Sequence, residues 1–293
     1  MRALISTLSF IWNHPLNRSD RLGAIGRYLR WQISSRVAPG PIAVRFVEDA
    51  LLLASPGMTG ATGNYYCGLH ELSDMGFVLH ALRPDDLFLD VGANIGSYTV
   101  LAAGGAGARV IAVEPIPDTC ERLRRNIAIN KLSDRVVLIN KGLASSEGEL
   151  RFTATLDCVN HVAVDGESEQ CIVVPVTTID QLCRESIPSI IKIDVEGFED
   201  QVLAGASKTL SSPAVLAVVM ETNRSGARYG KRDDSLFAEM RRFGFVPCGY
   251  DAIERDIVSE ATGLGNTIFI RDPYALLPRL KSAKKYRLIN GEI

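Results

Sequence analysis

Phe88-Leu-Asp-Val-Gly-Ala-Asn-Ile-Gly-Ser-Tyr98 decides the fold: an apolar strand ends at Asp90, turns between glycines 92 and 96, and enters a helix. Open α/β sheets bind ligands beyond the carboxyl ends of their strands, and backbone that must come close to a ligand favours glycine. The pattern Gly-x-Gly-x-x-Gly is not met, because position 94 is Asn and position 97 is Ser. The turn therefore does not spell out a pyrophosphate cradle at a helix N-terminus. A phosphate-free ligand with an ammonium group suits it better, namely S-adenosyl-L-methionine. Asp90 can meet that ammonium directly or through water, with Gly92, Asn94 and Gly96 forming the turn around it.

Working outward, the second strand, Arg109–Val113, ends in Val113-Glu114-Pro115. An acidic residue about twenty positions after the turn can accept both hydrogen bonds of a ribose diol. Glu114 could instead serve only as a helix-start carboxylate. After the third strand, Val136–Ile139, Asn140 is placed to bond the adenine and Leu143 to pack on its face, although a plain turn would read the same way. The fourth strand is Ile190-Ile-Lys-Ile-Asp194, followed by Val-Glu196-Gly197. In extended chain Asp194 and Glu196 share a side and would face the crevice that takes a methyl acceptor. The alternatives are that Asp194 caps the next helix, Glu196 is solvated, and Lys192 pairs with one of them. Glu221 holds the equivalent place on the fifth strand, Val215–Met220, where it could line the acceptor site or bind Arg224. His161 is a candidate base by its ordinary pKa and stays outside the assigned set.

Strands and helices alternate from residue 85 to 271. Helices are expected over Ser97–Ala103, Asp118–Asn130, Glu199–Leu210 and Ser235–Phe243. Further strands are expected at Glu149–Phe152, Ile172–Val176, Phe245–Gly249, Ile253–Val258 and Thr267–Ile270, with a polar loop over 165–170. Continuous apolar strands separated by helices imply a mostly parallel α/β sheet covered on both faces. Residues 1–84 read as an extension that supplies part of a lid, with a turn region over Ser55–Asn64 and a helix over Leu69–Leu82. His70 or Glu71 could reach the site from there. Residues 272–293 read as a basic tail, solvated or helical.

With 46% hydrophobic and 23% charged residues the chain is an ordinary globular one, and its net charge of −2 argues against a dominant nucleic-acid-binding surface. The six cysteines form no Cys-x-x-Cys pair, so zinc spacing is missing and a reduced, cytoplasmic protein is expected. The apolar run before Trp12 is too short to span a bilayer and lacks a cleavage signature. A helix docked on the domain is the favoured reading. The alternative is peripheral attachment to an anionic membrane through Arg18, Arg21, Arg27, Arg30 and Arg36. No feature sets an oligomeric state.

Phe88-Leu-Asp-Val-Gly-Ala-Asn-Ile-Gly-Ser-Tyr-Thr99, Val113-Glu-Pro115 and Ile191-Lys-Ile-Asp-Val-Glu-Gly197 together resemble the FkbM-type methyltransferases. Leu203-Ala-Gly-Ala206, Asn266-Thr-Ile-Phe269 and, before the first strand, Tyr66-Cys-Gly-Leu-His-Glu71 fit as well. The resemblance implies a class I, Rossmann-like fold with a seven-stranded sheet. It also implies methyl transfer from S-adenosyl-L-methionine to a hydroxyl of a sugar, glycan or related natural product. Asp194 is then the first choice of base, with Glu196 and Glu221 orienting the acceptor. No resident metal is assigned, although a divalent ion on these carboxylates could lower the hydroxyl pKa. The competing readings are a non-catalytic cofactor- or partner-binding module and, behind it, an NAD-dependent oxidoreductase. A nucleic-acid methyltransferase would show an Asn/Asp-Pro-Pro-Tyr loop where this chain has Asp-Val-Glu-Gly.

Overall fold

A computed structural model describes residues 2–38, 40–153, 160–164, 170–230, 232–258 and 265–293. The chain opens with helices α1 (Arg2–Asn13) and α2 (Arg21–Val37), the hairpin β1 (Ile42–Arg45) and β2 (Leu51–Ala54), and helices α3 (Thr59–Cys67) and α4 (Leu72–Ala81). The alternating region follows: β3 (Leu87–Val91), α5 (Ser97–Val100) continuing as a π-helical turn over Leu101–Ala106, β4 (Arg109–Val113), α6 (Pro117–Ile129) and β5 (Val136–Ile139). A small sheet is made by β6 (Gly142–Leu143), β7 (Gly148–Thr153) and β8 (Cys171–Thr177), after which come α7 (Ile179–Leu182) and β9 (Ile190–Ile193). Helices α8 (Glu199–Ala204) and α9 (Ser207–Ser211), strand β10 (Ala217–Glu221), helix α10 (Asp233–Arg242), and strands β11 (Val246–Asp251), β12 (Asp256–Val258) and β13 (Asn266–Ile270) complete it. Helix α11 (Pro273–Lys281) and the hairpin β14 (Arg287–Leu288) and β15 (Gly291–Glu292) end the chain.

The large sheet runs β12-β11-β13-β10-β9-β3-β4-β5. From β10 to β5 every pairing is parallel, while β13 lies antiparallel between β10 and β11. Seven of these strands give the expected class I order, with the reversal of strand order between β3 and β9. The three-residue β12 adds an eighth at the edge. Alternation along the strands splits the core. Phe88, Val110, Ala112, Ile190 and Val219 pack with the N-terminal elements, and Leu89, Val91, Ile191, Ile193 and Val218 with α8 to α10.

Tertiary contacts overrule local sequence in two places. The expected turn region over Ser55–Asn64 contains the start of α3, despite glycine at 60 and 63. Its Ala61, Asn64, Tyr66 and Cys67 are buried, and a side chain at Gly63 would collide with the His70 ring. The single helix expected over Glu199–Leu210 is two, broken at Gly205, whose backbone sits against the Ala144 carbonyl and accepts from Asp180 N (3.0 Å). Of the two readings of the basic C-terminus, helical is the one seen: Leu276 and Leu280 of α11 are buried, and the Tyr286 hydroxyl donates to the Leu79 carbonyl (2.9 Å). Of the polar loop expected over 165–170, residues 165–169 lie outside the described residues, as does Cys158.

Two side-chain clamps hold this frame. Asn126 of α6 and Asn130, the residue that caps its end, accept from Leu53 N and Leu51 N, both at 2.7 Å, so strand β2 is tied to α6. Arg271, just past β13, donates to the carbonyls of Val215, Phe243, Leu210 and Ser212 and lies over the Phe245 ring. Arg271→Ala should lower unfolding free energy by about 2 kcal/mol, since several carbonyls lose their donors together. Urea denaturation checks this, and an unchanged midpoint would contradict the clamp.

Candidate active site

The Gly92–Gly96 turn is shaped by what touches it. Gly92 has φ 73°, and a Cβ there would lie 1.8 Å from the Asp194 carbonyl oxygen. The carboxyl ends of β3 and β9 therefore meet only because residue 92 has no side chain. Gly96, at φ 95°, lies against Leu123 in the same way. Asn94 is also left-handed, at φ 50°, a conformation that Asn tolerates, and its Oδ1 accepts from Ile95 N (2.7 Å). Buried Asn126 donates to the Ile95 carbonyl (2.7 Å), so one side chain braces both this turn and β2.

The Glu114 carboxylate accepts from Asn94 N (2.9 Å) and from Ile116 N (3.0 Å). Burial pushes its carboxyl up to about 7, against those two hydrogen bonds. Asp90 is wholly buried: Oδ2 accepts from the Thr99 hydroxyl (2.6 Å), while Oδ1 has no partner among the described residues. Burial raises its pKa as well. A buried acceptor lacking a donor is the chemistry an ammonium or a held water would complete.

Lys192 lies opposite Asp90 in the register of β9 with β3. It is buried, its Nζ 2.7 Å from Asp194 Oδ2 and 4.7 Å from the centre of the Tyr98 ring. Burial alone would push the ammonium towards neutrality; Asp194, Asp90 and Glu71 around it reverse that and raise its pKa. The Tyr98 hydroxyl donates to Glu71 Oε2 (2.6 Å), which brings the N-terminal region into the same network.

Beyond β9 the chain turns through Glu196 (φ 55°) and Gly197 (φ 102°). A side chain at 197 would run into the Ser225 backbone. Glu199 Oε1 accepts from Val195 N and Gly197 N, both at 3.2 Å, and so fixes this turn. Asp194, Glu196 and Glu221 offer oxygens that lie within 4.8 Å of one another. Burial, followed by the neighbouring Asp194, pushes Glu196 up to about 7; burial with Asp194, Glu196 and Glu199 pushes Glu221 up to about 9.

Two clefts meet here. One, of about 680 Å³, is bordered by Glu114, Ile116, Leu143, Phe152 and Phe198. The other, of about 940 Å³, is bordered by Met58, Thr59, His70, Glu71, Tyr98 and Glu221. Gly92, Asn94, Asp194 and Glu196 line both. Their carboxylate-rich walls are unsuited to a pyrophosphate.

Of the residues assigned to the cofactor from the sequence, Gly92, Asn94, Glu114 and Leu143 border the first cleft, and Asp90 borders the second. Gly96 stands behind the turn. Asn140 is turned away, donating to the carbonyls of Glu114 (2.8 Å) and Pro115 (2.9 Å), where it braces the strand end. Asp194 pairs with Lys192 and does not cap α8, whose N-cap is Phe198. Glu221 accepts from Asn223 Nδ2 (2.6 Å). His161 is buried, close enough to favour the charged form of Glu196, and donates its backbone N–H to Thr153 Oγ1 (3.0 Å). Thr99, Tyr98, Asn126 and Glu199 were not singled out from sequence. Only Tyr98 and Thr99 had a signal, their place directly after the glycine turn.

The Methyltransferase FkbM domain description matches residues 90–251, more than half of the chain. The chain belongs to the FkbM methyltransferase family. Among curated relatives of this FkbM chain, the hexuronic acid methyltransferase AglP of Haloferax volcanii is 31% identical over 142 residues, 46% of this chain and 56% of that protein. The antimetabolite synthetase AmbE of Pseudomonas aeruginosa is 28% identical over 238 residues, 66% of this chain and 11% of its own length. The chain therefore spans little more than half of the first relative and a small part of the second. A crystal structure of an FkbM methyltransferase from Methylobacillus flagellatus is 15% identical with a TM-score of 0.46, over 86% of this chain and 60% of that one.

The raised carboxyls have a consequence for the ligand-free protein. Glu114, Glu196 and Glu199 each hold a proton more tightly folded than unfolded, at about 7 against 4.5. That contribution to stability is complete below the unfolded value and disappears as pH rises through about 7. Scanning calorimetry should give a higher Tm near pH 6 than near pH 8, and Glu196→Gln should narrow the difference. A Tm that climbs towards pH 8 would contradict this.

Proposed function

We propose that this chain is an S-adenosyl-L-methionine-dependent O-methyltransferase acting on a hydroxyl of a sugar, glycan or related natural product. The observation that carries the reading is the junction of two clefts at Gly92, Asn94, Asp194 and Glu196. The first has the set of groups for a phosphate-free adenosyl ligand: Glu114 for the ribose diol, Leu143 for the base, and the turn at Gly92–Gly96. Asp90, with an unpartnered buried oxygen, is placed for the ammonium. When bound, S-adenosyl-L-methionine supplies an electrophilic methyl group on a cationic sulfur.

The chain's own residues then handle the acceptor. An alcohol is a poor nucleophile until its proton leaves, and a carboxylate within hydrogen-bond reach takes it. Asp194, the ion-paired member of the triad, is assigned as that base. Burial, followed by their acidic neighbours, keeps Glu196 and Glu221 partly protonated, so they can donate hydrogen bonds to other oxygens of the acceptor. Holding the reacting oxygen in line is expected to supply most of the acceleration. An acceptor rich in hydroxyls suits such walls, whereas a phosphodiester would meet the carboxylates of Glu71 and Asp194, which disfavours nucleic acid. The hexuronic acid named for AglP supports a saccharide acceptor.

A second reading follows from the spacing of the Asp194, Glu196 and Glu221 oxygens: a divalent cation there would lower the hydroxyl pKa. Turnover that survives thorough chelation removes it. For the main reading, labelled methyl donor is tested against a panel of saccharides and small hydroxylated metabolites, with products identified by mass. Asp194→Asn should lower kcat by about 100-fold or more, with a much smaller change in donor affinity. Undiminished turnover in that variant would contradict the assignment of the base.

A further inference from the structure

Residues 1–40 contain six arginines, no lysine and one acidic residue, Asp20, in a chain of net charge −2. Asp20 is consumed within the helical pair, accepting from Gly23 N (2.9 Å) at the start of α2 and facing Arg27 at 3.8 Å. Arg27 points inward, donating to Asn17 Oδ1 and the Tyr66 carbonyl. Arg18, Arg21, Arg30 and Arg36 are exposed.

The same helices hold large apolar side chains in water. Leu22, Leu29, Ile33 and Val37 are 78%, 54%, 66% and 78% exposed. Their spacing puts them on one stripe of α2, flanked by Arg30 and Arg36. On α1, Ile5 and Trp12 are exposed, and the Arg21 guanidinium sits 5.3 Å from the Trp12 ring centre. Docking onto the domain does not use this stripe, because Ala24 and Trp31 on the other side of α2 are the residues buried in the core.

We propose that the stripe and its arginines dock the protein on the surface of an anionic lipid bilayer. Apolar side chains enter the headgroup boundary while the guanidinium groups meet acidic headgroups. A second copy of the chain is the competing occupant, but two such faces would bring their arginines together. Among the described residues no helix is long and apolar enough to cross a membrane, so the contact is peripheral. Its position gives it a use. The Tyr28 ring of α2 packs on Tyr66 of α3 (5.4 Å), and the first turn of α3 lines the acceptor-side cleft. Phe10 of α1 packs edge-on against His70 (5.1 Å), at the rim of that cleft. Resting on the methyltransferase reading, this arrangement favours an acceptor glycan carried on a lipid.

Flotation of the full chain with vesicles tests the docking without relying on methyl transfer, so failure of the enzymatic reading leaves its outcome unchanged. The bound fraction should be at least about tenfold higher on phosphatidylcholine vesicles containing phosphatidylglycerol than on phosphatidylcholine alone, and should fall at raised salt. Arg30→Glu/Arg36→Glu and, separately, Leu29→Ser/Ile33→Ser should each lose that binding while keeping the wild-type Tm. No binding to the anionic vesicles overturns the proposal, as does equal binding to neutral ones or binding that both variants retain. Light scattering that shows a dimer, converted to monomer by the Leu29→Ser/Ile33→Ser variant without any vesicle binding, assigns the stripe to self-association and overturns it too.

Discussion

A single buried ammonium organises the site. Lys192 lies in the middle of an apolar strand, and an unpaired charge there would be prohibitively costly. It is tolerated because Asp90 on the adjacent strand, Asp194 two residues on and Glu71 from the N-terminal region all surround it. Those carboxylates belong to different parts of the molecule: the end of β3 before the Gly92–Gly96 turn, the Asp194–Glu196–Glu221 cluster and the N-terminal helices. Without the cation they would repel one another in a medium of low dielectric constant. The ion network therefore fixes the relative placement of the two clefts, and the missing side chain at Gly92 lets the strand ends close on each other.

More acid surrounds this cation than it can neutralise. Lys192 also favours the charged forms of Glu196 and Glu221, but burial and then their acidic neighbours outweigh it and raise their proton affinity. A carboxyl raised to about 7, as that of Glu196 is, exchanges its proton near neutral pH, whereas a solvated carboxylate is already fully ionised there. The N-terminal region is part of this network. Glu71 and Tyr98 join it to the turn after β3, and Asn126 joins its hairpin to the same turn from the other side.

The class I core could be read from the sequence because its strands are short apolar runs with diagnostic residues at their carboxyl ends: Asp90, Glu114, Asp194. Those ends are where a parallel sheet binds ligands, so motif and geometry coincide. What escaped reading depends on long-range contact. Helix α3 forms across Gly60 and Gly63 since burial of Tyr66 and Cys67 outweighs weak propensity, and α8 and α9 divide at Gly205 where another segment presses on the backbone. Asn140 sits at the expected strand end, yet its amide is taken by two carbonyls. Nothing local to residues 126 or 199 marks them as braces for functional turns.

The claim that most depends on these contacts is that the cleft at Glu114 and Gly92 accepts an adenosyl ligand lacking phosphate. Calorimetric titration with S-adenosylhomocysteine, and in parallel with NADH, addresses it directly. The account predicts one-to-one binding of the former, lost in Glu114→Ala, and no heat from the latter. Heat from NADH alone, or from neither ligand, would contradict it.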